Sequence, residues 1–232
     1  PKTVPGSDDQ CLASMGIYIF TARFLFEQLL EDANRNDSAH DFGKNIIPSI
    51  VDSQRVFAFP FRDRNRKQQA YWRDVGTLDA YYHASMDLVA VDPLLNMYDE
   101  SWPIRTYQRM LPPPKFVFSG GDDGQRTGRA LDSIVGAGSI LSGGEVRGCI
   151  LSPCVRIHSY AQVTNSILFD DVQIGRRARV QNAIIEKEVR IPPGAEIGFD
   201  LDRERRRGFT VSPEGIVVIP RVERVEEMLS RA

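Results

Sequence analysis

Residues 155–193 read VRIHSYAQVTNSILFDDVQIGRRARVQNAIIEKEVRIPP, and branched apolar residues recur in this stretch at a spacing of 17. Ile157, Ile174 and Ile191 show the spacing most directly. Four columns of such residues extend it to both sides: Ile140, Ile157, Ile174 and Ile191; Val146, Val163, Val180 and Ile197; Val155, Val172 and Val189; and Ile150, Ile167 and Ile184. Four independent columns at one spacing identify an internal repeat.

This repeat predicts a left-handed parallel β-helix. A six-residue segment with one inward-facing branched residue forms a short strand and a turn, and three such segments close a triangular coil of about 18 residues. A 17-residue unit is then three faces with one tightened corner. Stacked coils place each branched residue over its equivalent and bury a continuous apolar column. A β-sandwich would instead show irregular spacings of roughly 8–12 residues.

Turn residues and the last segments of the chain complete the prediction for the coil. Residues 200–207 (DLDRERRR) form a charged end to the last turn, residues 211–220 suit a strand, and residues 222–229 suit a short helix. The corners of a coil need residues that tolerate positive φ, and glycine does so without steric cost. The candidate corner glycines are Gly136, Gly138, Gly143, Gly144, Gly148, Gly175, Gly194 and Gly198.

The first part of the chain has the pattern of a mixed α/β domain. Apolar runs rich in β-branched and aromatic residues predict strands, and apolar residues at helical spacing behind a Thr or Asp cap predict helices. The predicted elements are a buried strand at 14–20, a helix after Thr21, a helix from Asp41 to about Pro48, short strands at 56–61 and 72–75, and a helix after Thr77. The chain thus divides into an α/β part at 1–92, a proline- and glycine-rich linker at 93–131, and the β-helix at 132–232.

Composition limits the possible partners. The formal net charge is −2 and the chain is 26% charged, which gives no general attraction to nucleic acid or to a membrane surface. No apolar run is long enough to span a bilayer. The three cysteines have no metal-ligand spacing and predict free thiols in a reducing cytoplasm. Because there is no initiator methionine, we expect that the protein has a further, preceding part.

Three segments of the α/β part combine reactive polar residues with glycine: residues 14–16 (SMG), 40–44 (HDFGK) and 71–77 (YWRDVGT). In α/β sheets, ligands sit at the carboxyl ends of strands and at helix N-termini. Each candidate also has a purely structural interpretation. Ser14 could be a strand-edge hydroxyl, Asp41 a helix cap, and Asp74 a turn residue.

Longer motifs containing these segments resemble a known family. They are LASMGIYIF (12–20), HDFGKNIIP (40–48), YWRDVGTLDAYY (71–82), WPIRTY (102–107), LPPPKFVF (111–118) and PEGIV (213–217). In this order they resemble the C-terminal half of bacterial glucose-1-phosphate adenylyltransferases. The resemblance implies the C-terminal part of a Rossmann-like nucleotidyltransferase domain followed by a left-handed β-helix. It also implies the reaction of ATP with glucose 1-phosphate to give ADP-glucose and pyrophosphate, in glycogen biosynthesis.

The resemblance also implies roles for individual residues. Ser14, Asp41, Phe42 and Trp72 would contact the sugar phosphate or ADP-glucose, and Asp74 would bind Mg²⁺. Lys187 would contact a regulatory metabolite, and the assembly would be a homotetramer. The family's glycine-rich nucleotide loop and its other metal carboxylate belong to the N-terminal half, so we expect no catalytic residue within this chain and no activity from the chain alone.

Two other classes of function remain open at this point. A hexapeptide acyltransferase also uses a β-helix but needs a catalytic histidine, for which His158 is the only candidate in the repeat. A non-catalytic subunit that serves regulation or oligomerisation is the second alternative. The presence of Ser14, Asp41, Trp72 and Asp74 argues against such a degenerate subunit.

Overall fold

The computed structural model describes Thr3, Gly6 and residues 8–62, 71–120, 126–222 and 225–230. The chain separates into two compact units, one at residues 1–70 and the other at residues 71–232. The second unit contains the coil and also the segment 71–92, which the sequence pattern grouped with the α/β part. No helix among the described residues is long and apolar enough to cross a membrane.

The first unit contains the two predicted helices. Helix α1 spans Ala22–Ala33, and a π-helical turn at Phe42–Ile46 continues into helix α2 at Ile47–Ile50. Thr21 stands at the N-cap of α1 with extended backbone, although its side chain makes no capping hydrogen bond. Ile46 and Ile50 are buried. The predictions of both helices are confirmed, including the end of the second one shortly after Pro48.

The predicted strands at 14–20 and 56–61 are wrong for this unit, whose described residues contain no β-strand. Ile17 is 76% exposed and Ile19 is 99% exposed, so this run is extended but not buried. A strand exists only as part of a hydrogen-bonded ladder. The apolar pattern specifies a strand's faces, while the partner strand that would complete the ladder is absent from the described residues of the unit.

The second unit is built around a parallel β-helix, as the repeat predicted. Its strands are β1 Lys115–Val117, β2 Arg129–Leu131, β3 Ile134–Val135, β4 Ile140–Ser142, β5 Glu145–Arg147, β6 Ile150–Leu151, β7 Arg156–Ile157, β8 Gln162–Thr164, β9 Ile167–Leu168, β10 Gln173–Ile174, β11 Arg179–Gln181, β12 Ala183–Ile185, β13 Arg190–Ile191, β14 Glu196–Ile197, β15 Thr210–Val211 and β16 Val217–Ile219. They form three sheets with the strand orders β1-β4-β7-β10-β13, β14-β11-β8-β5-β2 and β15-β16-β12-β9-β6-β3, and all pairs are parallel except β15 with β16.

The first coil starts earlier than Asp132, because β1 and β2 lie inside the segment that was predicted as the linker. Lys115 donates its N–H to the carbonyl oxygen of Ser139 (2.8 Å), and Arg129 donates to that of Gly144 (3.1 Å). Both strands have three residues, too few to show a periodicity of their own. Pairing with the next coil therefore defines them.

Two apolar columns stack inside the coil as predicted, and a third needs a correction of one residue. Val146, Val163, Val180 and Ile197 are direct Cα partners along one sheet. The residue paired with Ile157 is Leu141, not Ile140, and Leu141 is fully buried. The first complete turn is thus one residue shorter than the repeat, which moves Ile140 to the outer face. Val155, Val172 and Val189 are buried directly before strands β7, β10 and β13.

The column Ile150, Ile167 and Ile184 lies outside the coil, contrary to the prediction that it lines the interior. The inward residues of these strands are Leu151, Leu168 and Ile185, because successive side chains of a strand point to opposite faces. The outer column is covered by helix α3, Leu78–Met86, which is followed by a 3₁₀ turn at Asp87–Val89. A column that repeats every 17 residues can therefore face either the inside or the outside of the coil. Here the column of Ile150, Ile167 and Ile184 faces outwards and packs against α3.

Positive φ marks the corners, although side chains other than glycine supply many of them. One corner stacks Gly143 (+74°), Tyr160 (+64°), Arg177 (+59°) and Gly194 (+72°). The glycines at 136, 144 and 175 have no positive φ, so their predicted role is corrected. They allow close packing between coils instead: a Cβ on Gly175 would lie 2.6 Å from the carbonyl oxygen of Ile191.

Helices close the end of the coil, where the last strand edges would otherwise be open. Helix α4, Leu201–Arg206, begins at Asp200, whose carboxylate accepts the Arg203 N–H at 2.9 Å. Glu204 in this helix is fully buried. The predicted strand at 211–220 is the hairpin of β15 and β16, and the predicted last helix is α5 at Val225–Ser230.

Candidate functional site

In the first unit, Ser14 and Phe42 come together through Tyr18. The hydroxyl groups of Ser14 and Tyr18 share a hydrogen bond of 2.7 Å, and the Gly16 N–H donates to the Ser14 hydroxyl oxygen at 3.2 Å. The Tyr18 ring stacks on the Phe42 ring with 5.7 Å between centroids and an interplanar angle of 23°. A hydroxyl pair beside an aromatic face is a suitable arrangement for a sugar ring.

Asp41 joins the same cluster at the start of the π-helical turn. Its Oδ1 accepts the Lys44 N–H at 2.8 Å, so the interpretation as a helix cap is confirmed. Asp41 is exposed, and Oδ2 has no hydrogen-bond partner among the described residues. A Cβ added to Gly43 would lie 3.4 Å from Asp41 Oδ1 and 4.0 Å from the Tyr18 hydroxyl. Glycine at this position therefore leaves room beside both polar groups.

A network of hydrogen bonds among Asp32, Ser38 and His40 fixes the loop that leads to Asp41. Asp32, which is 6% exposed, accepts from the Ser38 hydroxyl at 2.7 Å and pairs with His40 Nδ1 at 2.8 Å. His40 has φ of +55°, and its N–H donates to the Ser38 hydroxyl oxygen at 3.0 Å. The hydrogen bond from Ser38, followed by that from His40, holds the pKa of the Asp32 carboxyl below its ordinary value of 3.8.

The Asp32 network predicts that acid lowers the stability of the first unit. A carboxyl whose pKa is lowered by folding stabilises the folded state fully above about pH 5, and this contribution disappears as the pH falls through its unfolded and folded pKa values. The unfolding midpoint, followed by near-ultraviolet circular dichroism, should fall as the pH is lowered. We expect this fall to be smaller in Asp32→Asn than in the unsubstituted protein. Asp37→Asn, in the same loop, is the control and should keep the original profile. If the unfolding midpoint of Asp32→Asn depends on pH as that of the unsubstituted protein does, the role of the Asp32 network is contradicted.

Trp72 and Asp74 lie in the second unit, in the segment that precedes α3. This segment is not the strand that the sequence predicted, and Trp72 is 41% exposed. Asp74 Oδ1 accepts the Gly76 N–H at 3.1 Å, which confirms the interpretation of a turn. The Thr77 hydroxyl oxygen accepts the Ala80 N–H at 3.1 Å and caps α3, as predicted. The Asp74 carboxylate is therefore exposed and held by the turn.

A divalent cation is compatible with Asp74, although this chain supplies few ligands. The described residues contain no group of three or more His, Cys, Asp or Glu side chains arranged to hold a metal ion. Mg²⁺ is commonly bound by one or two carboxylates together with waters and substrate phosphates. The exposed carboxylate of Asp74, which uses Oδ1 in its turn, fits the role of one such ligand.

Lys187 occupies an exposed corner of the coil between two acidic residues. Glu186 Oε2 accepts the Arg221 N–H at 2.7 Å, and Glu188 Oε2 lies 2.6 Å from Arg221 Nη2. Both flanking carboxylates are thus engaged by Arg221. Lys187 forms no ion pair with the residues that the structure describes, and its ammonium group is free to contact an anion.

Sequence reasoning missed Tyr18, Arg221 and the polar contact of Tyr82. Tyr18 lies in the motif LASMGIYIF, but its pattern indicated a strand face and not a polar partner for Ser14. Arg221 is 35 residues from Glu186 and carries no local signal. Tyr82 lies in the helix predicted after Thr77, and nothing in that pattern indicated that its hydroxyl donates to the carbonyl oxygen of Asn165. Tertiary proximity alone reveals these pairs.

Comparison with known proteins assigns both parts of the chain. The nucleotidyl transferase family model matches residues 2–90, and the model of the GlmU-like C-terminal hexapeptide matches residues 112–219. A glucose-1-phosphate adenylyltransferase of Rhodopirellula baltica is 58% identical over 230 residues, which are 99% of this chain and 52% of the relative. Adenylyltransferases of the same description from Methylococcus capsulatus and Shewanella frigidimarina are 51% and 49% identical over 94% and 95% of the chain. The chain spans about half the length of these curated relatives.

Proposed function

We propose that the chain belongs to the glucose-1-phosphate adenylyltransferase family and that its protein transfers the adenylyl group of ATP to glucose 1-phosphate. An oxygen of the sugar phosphate forms a bond to the α-phosphorus of ATP. The bond from that phosphorus to the oxygen bridging to the β-phosphate breaks, and pyrophosphate leaves. The product, ADP-glucose, is a donor for glycogen biosynthesis. The 58% identity to the Rhodopirellula baltica enzyme, over both units, is the observation that carries the proposal.

In this proposal, residues 1–92 form the sugar-phosphate side of the site. In the first unit, Asp41 and the Ser14–Tyr18 hydroxyl pair would bind glucose hydroxyls, and Phe42 would pack against the ring. The uncommitted Oδ2 of Asp41 and the 2.7 Å hydroxyl pair support these roles. Trp72 of the second unit is proposed as a contact to the sugar phosphate or ADP-glucose on the resemblance alone. Because such contacts hold the sugar phosphate in place, they lower the entropic cost of bringing it to the α-phosphorus.

Asp74 would bind the Mg²⁺ ion. A bound Mg²⁺ would neutralise charge on the phosphate oxygens during transfer. Asp74 itself supplies a fixed negative charge, because the Gly76 N–H holds one of its oxygens and leaves the other accessible. The nucleotide-binding loop and a second carboxylate would come from the further half of the relatives' length.

The coil, residues 132–232, would serve regulation and assembly. Lys187 would bind an anionic metabolite effector, which its exposed corner and lack of a described ion pair support. A homotetramer and a cytoplasmic location are part of the same proposal. The location rests on three cysteines that form no disulfide.

An assay of ADP-glucose synthesis tests the proposal directly. We expect the 232-residue chain alone to be inactive, and a hybrid to be active in which it follows the N-terminal half of the Rhodopirellula baltica relative. Product formation should require ATP, glucose 1-phosphate and Mg²⁺ together. Turnover by the chain alone would show that it needs no second half. A folded, tetrameric hybrid without turnover would favour the non-catalytic subunit instead.

The acyltransferase alternative has no support in the site. His158 is exposed, and its backbone N–H is used by the Ile174 carbonyl oxygen at 3.0 Å. The three relatives described above are adenylyltransferases. Transfer of an acetyl group from acetyl-coenzyme A by this chain would revive that alternative.

A further inference from the structure

Helix α3 is anchored on the outside of the coil by a buried aromatic residue. Tyr82 is 7% exposed and belongs to one buried apolar cluster with Ile167, Ile184 and Ile216. These three residues come from β9, from β12 and from the turn before β16, so the cluster joins Tyr82 to three neighbouring coils. Burial of an aromatic ring on such a platform gives the helix a defined position.

Polar contacts fix the position of α3 along the coil as well. The Tyr82 hydroxyl donates to the carbonyl oxygen of Asn165 at 2.8 Å, and His83 Nε2 lies 2.5 Å from Glu214 Oε2. Burial raises the pKa of the Tyr82 hydroxyl above its ordinary value of 10.0, so this group stays protonated and remains a donor. Apolar packing alone would tolerate sliding of the helix, whereas a directional hydrogen bond does not.

The segment that carries Asp74 is tied to both ends of the same helix. Thr77 caps the first turn of α3 through the Ala80 N–H. Arg73 Nη2 donates to Asp87 Oδ2 at 3.3 Å, and Asp87 follows the last residue of the helix. Asp74 lies between these two ties and is itself bonded to Gly76. A shift of α3 on the coil would therefore carry the Asp74 carboxylate with it.

We propose that Tyr82 is a positioning residue, which sets the place of the Asp74 carboxylate by fixing α3 to the coil through Asn165. This inference rests on the proposed adenylyl transfer and on the role of Asp74 in it. The β-helix then contributes to the catalytic step through the position of α3, in addition to its proposed role in regulation and assembly. Positioning errors of a fraction of an ångström at reacting groups are costly, because the bound geometry must lie close to the transition state.

Tyr82→Phe tests the inference, because it removes the hydroxyl and keeps the ring. In the hybrid enzyme we expect a roughly 5–10-fold lower kcat and a several-fold higher Mg²⁺ concentration for half-maximal rate. Hydrogen exchange of the 232-residue chain should be faster at the amides of residues 74–86 and unchanged in β8 to β11. Tyr81→Phe is the matched control in the same helix, since the Tyr81 hydroxyl has no hydrogen-bond partner among the described residues. It should behave as the unsubstituted protein.

The outcomes separate this inference from the proposed function. An active, Asp74-dependent hybrid in which Tyr82→Phe keeps its kcat and its Mg²⁺ requirement would overturn the positioning role alone. A hybrid that makes no ADP-glucose at all would reject the proposed function. In that case the exchange measurement decides whether Tyr82 fixes residues 74–86, and unchanged exchange would overturn the inference as well.

Discussion

Asp74→Asn in the hybrid enzyme is expected to lower kcat for ADP-glucose synthesis by a factor on the order of 10²–10³. Asparagine keeps the size of the side chain and an oxygen that can accept the Gly76 N–H, so the turn before α3 should survive. The negative charge that would attract Mg²⁺ is lost. Because the proposed cation would act on phosphate charge in the transition state, the loss should fall on kcat and on the Mg²⁺ requirement more than on the KM for glucose 1-phosphate.

Asp92→Asn is the control for this substitution. Asp92 is an exposed carboxylate of the same unit, and it follows α3 and its 3₁₀ turn in the chain. Its removal changes the net charge by the same amount and should leave the rate unchanged. Circular dichroism and gel filtration of both variants would show whether the fold and the assembly are intact. A kcat for Asp74→Asn within about threefold of the unsubstituted hybrid would reject the metal-binding role.

Glu204→Ala is expected to destabilise the second unit by about 3–5 kcal/mol, because it removes a fully buried carboxylate that pairs with Arg207 and accepts the Gly198 N–H. Glu204 is fully buried, its Oε2 lies 3.3 Å from Arg207 Nη1, and its Oε1 accepts the Gly198 N–H at 3.2 Å. Arg207 Nη1 also donates to the Glu196 carbonyl oxygen at 3.3 Å. The pair therefore connects α4 to the last coil. Urea unfolding followed by far-ultraviolet circular dichroism measures the loss.

Two further variants identify the cause of that loss. Replacing both partners, Glu204→Leu with Arg207→Leu, removes both buried charges and should recover a large part of the stability. Asp202→Ala breaks the exposed ion pair with Arg205 in the same helix and should have little effect. If the double substitution is as unstable as Glu204→Ala, loss of packing and not of charge compensation explains the result.

The outward Ile150, Ile167 and Ile184 show why part of the fold could not be predicted. A strand alternates its faces, so two neighbouring columns in one strand have the same 17-residue spacing. The spacing identifies the coil but does not say which column is inside. Helix α3 converts the outer column into a buried surface, and α3 has no signal in the repeat itself.

The candidate site shows the same limit. Local patterns correctly predicted the cap at Asp41, the turn at Asp74 and the cap at Thr77, because each depends on backbone groups within three residues. Tyr18 beside Ser14 and Tyr82 on Asn165 depend on how the chain folds back. Tyr82 and Asn165 are separated by 83 positions, and no pattern in either segment points to the other.

The 17-residue columns of residues 140–197 by themselves determined that this protein contains a parallel β-helix. They could do so because a coil buries its core only when equivalent residues of successive turns stack, and stacking imposes a fixed spacing on the sequence. The tertiary structure alone decided the one-residue shorter first turn at Leu141, the outer column under α3, and the fixation of the Asp74 segment on the coil. These features depend on contacts between segments far apart in the chain, and such contacts impose no period on it.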